Sequence, residues 1–256
     1  MAAMRIFLRL VGVVAMLYVF ACIGLFLVHR SMIYFPPHGP LSNTAGLETM
    51  ELNGMRLKVS ARKLAGADAV LYFGGNGEDV SGNLPSLAAA FPDQAIYLLH
   101  YRGYGGSAGT PSEAALVADA LALFDKLHAG HPNITVIGRS LGSGVAVHLA
   151  SVRPVTRLVL VTPYNSIAQL GQAQFPLFPA RWIMVDTFDS FRYAPKVTAP
   201  TTLVIAEQDE IIPRASSEQL YSQFQPGVAR KIVIAGSGHN SISSNDAFLA
   251  ALTAGR

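Results

Sequence analysis

The sequence predicts a doubly wound α/β fold with a mostly parallel sheet, preceded by one transmembrane helix. Three observations carry that expectation. Short β-branched or apolar runs alternate with helical stretches, a long uncharged run lies near the N-terminus, and a glycine-flanked turn joins one strand to one helix at residues 138–142.

The N-terminal run extends from Leu10 to Val28, 19 residues without a charged side chain. As a helix it would be about 28 Å long, close to the roughly 30 Å hydrocarbon core of a bilayer. Arg5, Arg9 and the amino terminus flank one end, His29 and Arg30 the other. This imbalance predicts a cytoplasmic N-terminus, with the rest of the chain on the non-cytoplasmic side, the periplasm in a bacterium. No small-x-small cleavage site follows Val28, as a signal peptide would require. Cys22 follows Ala21 as in a lipoprotein signal, but Phe20 is bulky and apolar residues continue after Cys22. Residues 1–30 therefore read as a signal anchor and residues 31–256 as one domain.

Phe35-Pro36-Pro37-His38-Gly39-Pro40 is a stiff, helix-breaking link. Residues 48–53 and 56–62 read as a hairpin around Asn53-Gly54, a pair suited to a two-residue turn. Strands are then expected at Ala69–Phe73, Ala95–Tyr101, Ile134–Ile137, Leu158–Val161, Thr202–Ile205 and Lys231–Ala235. Their continuous apolar character suits strands covered on both faces. Helices are expected over Ala114–Leu127, with Ser112 as N-cap, and over Leu141–Ser151, Arg214–Phe224 and Ser241–Leu252. The aromatic-rich segment Gln172–Phe191 reads as a flap or as packing against the sheet.

Charge excludes one class of function. The chain carries 19 Lys and Arg against 16 Asp and Glu, but three of the arginines lie in residues 1–30, which hold no acid. The remainder is balanced, with no basic stripe for nucleic acid. Cys22 is the single cysteine, which excludes an intramolecular disulfide and a cysteine-based metal site.

The sharpest local signal is Gly138-Arg139-Ser140-Leu141-Gly142, a G-x-S-x-G run with a strand before it and a helix after it. Glycines on both sides let the backbone turn sharply and expose the Ser140 hydroxyl. A hydroxyl is a weak nucleophile until a base takes its proton, and the base needs an orienting acid. The chain order expected with such an elbow is Ser, acid, His. Of the two later histidines, His148 lies in the helix that follows the serine and cannot fold back to it. His239, in a glycine-rich loop after a strand, is the expected base. Asp209 leaves the strand Thr202–Ile205 at its C-terminal end, and from spacing alone Glu207 and Glu210 stand beside it as alternatives; Asp186 and Asp189 fall in the helix-and-flap segment. Gly74-Gly75-Asn76-Gly77 follows an earlier strand, so the backbone N–H groups of Asn76 and Leu141 are the expected oxyanion donors.

With these motifs in order, the chain resembles the α/β-hydrolases, in particular the membrane-anchored branch that includes protein depalmitoylases. The resemblance rests on Tyr34-Phe35-Pro36, the Gly74–Gly77 loop, Tyr101-Arg102-Gly103-Tyr104-Gly105-Gly106-Ser107, Gly138–Gly142, Pro163-Tyr164-Asn165-Ser166, Asp209 with Pro213, and Gly238-His239. It departs at Gly74, where relatives usually carry His. The resemblance implies a Ser140–His239–Asp209 triad, favouring Asp209 over its glutamate neighbours. It also implies ester or thioester substrates that are small or lipid-like, with no metal or organic cofactor. A tethered binding protein that keeps the fold without turnover, and a serine peptidase, are the alternative functions.

Overall fold

The computed structural model describes residues 1–255. Helix α1 (Ala2–Val28) starts well before the expected Leu10, because Arg5 and Arg9 limit burial in a membrane but are good helix formers. Among the described residues it is the one helix long and apolar enough to cross a membrane, by length and composition, and none of its residues is fully buried. A short 3₁₀ turn at His29–Met32 follows.

Asn53 and Gly54 both take positive φ (49° and 70°), as a two-residue I′ turn requires. They join β1 (Leu47–Leu52) to β2 (Met55–Arg62). From β3 (Asp68–Phe73) onward, strand and helix alternate. Helix α2 (Leu84–Ala90), absent from the sequence expectations, is short and begins on Pro85 at its first turn. Strand β4 (Ala95–Leu99) ends two residues before the expected Tyr101. There the chain folds into turns closed by Tyr104 N–H to Tyr101 O and Ser107 N–H to Tyr104 O.

Helix α3 (Glu113–His128) is capped as expected, the Ser112 hydroxyl accepting the Ala115 N–H at 3.2 Å. Strand β5 (Asn133–Arg139) runs into α4 (Leu141–Ala150), and β6 (Arg157–Val161) follows. Between β6 and β7 (Thr201–Ala206) lie α5 (Ile167–Gln174) and α6 (Ala180–Ile183), which form the flap. Helix α7 (Arg214–Tyr221) and β8 (Ala229–Ile234) complete the repeating pattern. The helix expected over Ser241–Leu252 is divided: a 3₁₀ turn at Ile242–Ser244 precedes α8 (Asp246–Thr253), whose cap is the Asn245 side chain accepting the Ala247 N–H.

The eight strands order as β1-β2-β4-β3-β5-β6-β7-β8. The β1/β2 and β2/β4 pairs are antiparallel and all others parallel. Alternate residues of β3 feed two separate cores. Leu71 and Phe73 pack with Leu116, Phe124 and Val145 beneath α3 and α4, while Val70 and Tyr72 face Leu84, Leu87 and Leu252 under α2 and α8. Each such fully buried side chain contributes about 1.5–3 kcal/mol of hydrophobic stabilisation. The double cover explains why the strands read as continuous apolar runs, and it leaves their C-terminal ends as the place for polar chemistry.

The flap is tied to the end of α1. The Arg30 guanidinium donates to both carboxylate oxygens of buried Asp186 (3.0 and 3.3 Å), and the Tyr34 hydroxyl donates to the same carboxylate at 3.0 Å. From the other side, Glu113 at the start of α3 accepts the N–H groups of Thr187 and Phe188. Asp186 thus belongs to a structural pairing, and Asp189 to another with Arg192 and Ser166.

Candidate active site

Three elements of the parallel sheet bring Ser140, His239 and Asp209 together above its C-terminal edge. Ser140 sits between β5 and α4 with φ 49° and ψ −119°, a conformation that costs a non-glycine residue about 1–3 kcal/mol and persists because its surroundings impose it. The flanking glycines show how. A Cβ on Gly138 would lie 2.4 Å from the Gly142 carbonyl oxygen, and one on Gly142 would lie 2.2 Å from the Phe73 carbonyl oxygen. A side chain at Gly138 would push α4 away from β5, and one at Gly142 would push it off the end of β3. The Ser140 N–H donates to Val161 O on β6, which fixes the turn from below.

His239 Nε2 lies 3.0 Å from Ser140 Oγ, and its Nδ1 lies 2.9 and 3.0 Å from the two Asp209 carboxylate oxygens. Asp209 also accepts the N–H groups of Ile211 and Ile212, so its carboxylate is held by four contacts and is nearly fully buried. The glutamates that spacing left open beside it serve the loops. Glu207 accepts the Gly236 N–H, and Glu210 accepts the His239 N–H. His148 stacks on Tyr193 at 3.9 Å, far from this line.

Ser140, His239, Asn76 and Leu141 line one cleft of about 530 Å³, together with Arg139 and Glu78. Leu141 is the first residue of α4, where backbone N–H groups have no partner within the helix. The Asn76 N–H likewise makes no hydrogen bond to another described residue, whereas its carbonyl accepts from Phe35 N–H and from the Tyr104 hydroxyl.

Comparison with known proteins settles the family. A family model described as alpha/beta hydrolase fold matches residues 69–191. The Mycobacterium tuberculosis protein Rv2307c is 34% identical over 229 residues, covering 82% of this chain and 80% of that one. The chain belongs to the α/β-hydrolase fold family. Lysophosphatidylserine lipase ABHD12 of Macaca fascicularis is 31% identical over 151 residues, which is 51% of this chain and 38% of that protein. The chain therefore spans well under half of that relative. Among solved structures, the enol-lactonase of Burkholderia xenovorans aligns with a TM-score of 0.63 at 17% identity, over 79% of this chain and 97% of its own. The meta-cleavage product hydrolase of Pseudomonas fluorescens aligns with a TM-score of 0.65 at 16% identity, over 80% and 96%. At such identities these two show the shared fold.

The loop at Gly74, where the resemblance implies a histidine, has other support. A Cβ at Gly74 would meet Val80 Cγ1 at 2.4 Å, so this loop has no room for a larger residue. Its support comes instead from Tyr101, whose hydroxyl donates to Gly74 O at 2.9 Å, from Tyr104, and from Glu78. Burial and the nearby Glu78 charge push the Tyr101 hydroxyl well above its usual range, so it stays a donor. Glu78 accepts the Gly75 N–H at 2.5 Å and the Tyr72 hydroxyl at 2.7 Å, and pairs with Arg139 at 3.4 Å. Arg139 in turn reaches the His239 carbonyl oxygen at 3.4 Å. Sequence reasoning passed over both charged residues. The signal was there: each is a charged residue at its glycine loop, Glu78 two positions after Asn76 and Arg139 directly before Ser140.

Proposed function

We propose that this protein is a membrane-anchored serine hydrolase that cleaves carboxylic esters or thioesters through an acyl-enzyme. The observation that carries the reading is the unbroken line from Asp209 carboxylate through His239 to Ser140 Oγ, ending in a cleft beside two unpartnered N–H groups. Ser140 Oγ attacks the carbonyl carbon while His239 Nε2 takes its proton. Asp209 holds the imidazole by Nδ1 and stabilises the imidazolium that forms. The Asn76 and Leu141 N–H groups receive the oxyanion, an interaction made only as charge develops. His239 returns the proton to the leaving alcohol or thiol. Water activated by the same histidine then hydrolyses the acyl-enzyme, restoring Ser140. No metal or organic cofactor is needed for these steps.

Residues 31–256 form the hydrolase and residues 1–30 its anchor, with the N-terminus in the cytoplasm and the cleft on the other side. Lipase relatives and the apolar surroundings of the cleft favour lipid-like substrates over peptides. The test is labelling of the detergent-solubilised protein by a fluorophosphonate, beside Ser140→Ala. The wild type is expected to label and the variant to remain unlabelled. An unlabelled wild type with a normal melting transition would reject the hydrolase in favour of a tethered binding protein.

A further inference from the structure

The site cleft continues into a second chamber. Met32, Ile33, Ile167, Leu170 and Ile211 line both the cleft and an adjoining space of about 340 Å³. That volume falls within the roughly 300–1,000 Å³ of ordinary ligand pockets. Leu25 and His29 at the end of α1 form one wall; Phe175, Phe178, Ile183 and Met184 of the flap form the opposite one. The chamber is therefore made partly by the apolar helix itself.

Its depth follows from one contact. The Tyr18 hydroxyl donates to Leu177 O at 2.9 Å, and the Tyr18 ring stacks on Phe178 with centroids 5.7 Å apart and planes within 3°. Tyr18 precedes the end of α1 at Val28 by ten residues, so the flap tip lies about 15 Å back along the helix axis. If α1 spans a bilayer, the flap tip enters the same leaflet. The surface it presents there is suited to lipid: Leu177 is 79% exposed and Trp182 is 89% exposed. In water, such exposure of large apolar side chains beside an apolar helix would be unfavourable.

We propose that this chamber is an acyl-chain site that opens sideways to the bilayer, and that the substrate is a membrane-resident lipid whose long chain enters between α1 and the flap. The chain lies against Leu25, Phe175 and Phe178, passes Leu170 and Ile167, and presents its carbonyl to Ser140 with the polar headgroup toward the aqueous mouth. This rests on the hydrolase reading above and deepens it, since short water-soluble esters would leave the chamber empty.

Three measurements test the site. In phosphatidylcholine vesicles, emission of Trp182, the single tryptophan, is expected to be quenched by lipids brominated along their chains. Full emission in their presence would put the flap in water and overturn the proposal. Leu25→Trp on the helix wall and Gln174→Trp, at the end of α5 on the flap wall, fill the chamber from its two sides. Each is expected to lower the ratio of kcat/KM for p-nitrophenyl hexadecanoate over butanoate at least tenfold. An unchanged ratio in both would overturn it. Finally, Ser140→Ala protein in the same vesicles is expected to cross-link a diazirine-bearing hexadecanoate at Ile167 or Leu170, and to lose that adduct with Gln174→Trp. This reads the chamber without turnover. Cross-linking with no esterase activity in the wild type would reject the hydrolase reading alone, whereas activity without cross-linking would reject the chamber alone.

Discussion

The two halves of the cleft are built on opposite principles. On the sheet side, the groups that carry the geometry are pinned: Asp209 is held by four contacts, Ser140 by a strained turn that two glycines make possible, and the Asn76 loop by Tyr101, Tyr104, Phe35 and Glu78. On the flap side, contact is mostly between apolar surfaces, tied at the Arg30–Asp186–Tyr34 cluster and at Tyr18. Reaction geometry demands positioning to within fractions of an ångström, which only over-determined backbone supplies. Holding an apolar chain demands shape and exclusion of water, which apolar walls supply. On the proposed reading, chemistry falls to the hydrogen-bonded, sheet-held half of the cleft and recognition to its apolar half.

The largest expected effect breaks the rigid side. Asp209→Asn keeps the shape but favours the wrong imidazole tautomer, and kcat is expected to fall on the order of 10⁴-fold. A steady-state assay with p-nitrophenyl butanoate reads it. A glycine pair sharpens the contrast. Gly142→Ala places a methyl against the Phe73 and Gly74 carbonyls, which cannot yield, and is expected to cost about 3 kcal/mol or more. Gly171→Ala in the flap meets Met184 Sδ at 3.1 Å, a flexible side chain that can move, and is expected to stay within about 1 kcal/mol. Chemical denaturation of the two variants compares them directly.

The sheet side also predicts acid sensitivity. Burial depresses the His100 pKa to about 4, and the ring is held neutral against the Ser60 hydroxyl at 2.9 Å. The unfolded chain binds this proton at about 6.5, so it takes up more protons than the folded one between the two values. Stability from this group is complete above about pH 6.5 and is lost as pH falls toward 4. The loss is up to about 3 kcal/mol, less whatever solvent reaches the ring. His100→Gln is expected to flatten that part of the stability profile. A further effect concerns positioning. Glu78→Gln leaves Arg139 without its counter-charge and loosens the Asn76 loop, so kcat is expected to fall about tenfold while KM moves little. A rise in KM with kcat unchanged would instead assign Glu78 to substrate binding.

What could be read from the chain depended on how local the cause was. The turn at Asn53-Gly54 and the cap at Ser112 are set by neighbouring residues, and both were legible. The strands were legible because sheets covered on both faces leave continuous apolar runs. Chain order and strand-end position pointed to Ser140 and His239 but left Asp209 beside Glu207 and Glu210 until the family resemblance favoured it; the structure brings Ser140, Asp209 and His239 into hydrogen-bonding contact. Helix α1 was underestimated because arginine stops burial in lipid without stopping a helix. The support of the Asn76 loop was hidden, since Tyr101, Tyr104 and Glu78 reach it from different elements. The Tyr18–Leu177 contact, 159 residues apart in sequence, has no local signature at all.

The flap hangs between β6 and β7, and those two strands still pair directly in parallel register from Leu158↔Thr201 to Val161↔Val204. Neither neighbour needs the intervening segment in order to find the other. Doubling the length of such a connection adds only about 0.6 kcal/mol of closure cost. Tyr164, Phe188, Ala194 and Val197 belong to the main core, so the exchangeable part of this connection is the pair of flap helices α5 and α6: a lineage, or an engineer, can trade one cap for another while the reacting atoms stay where the sheet holds them.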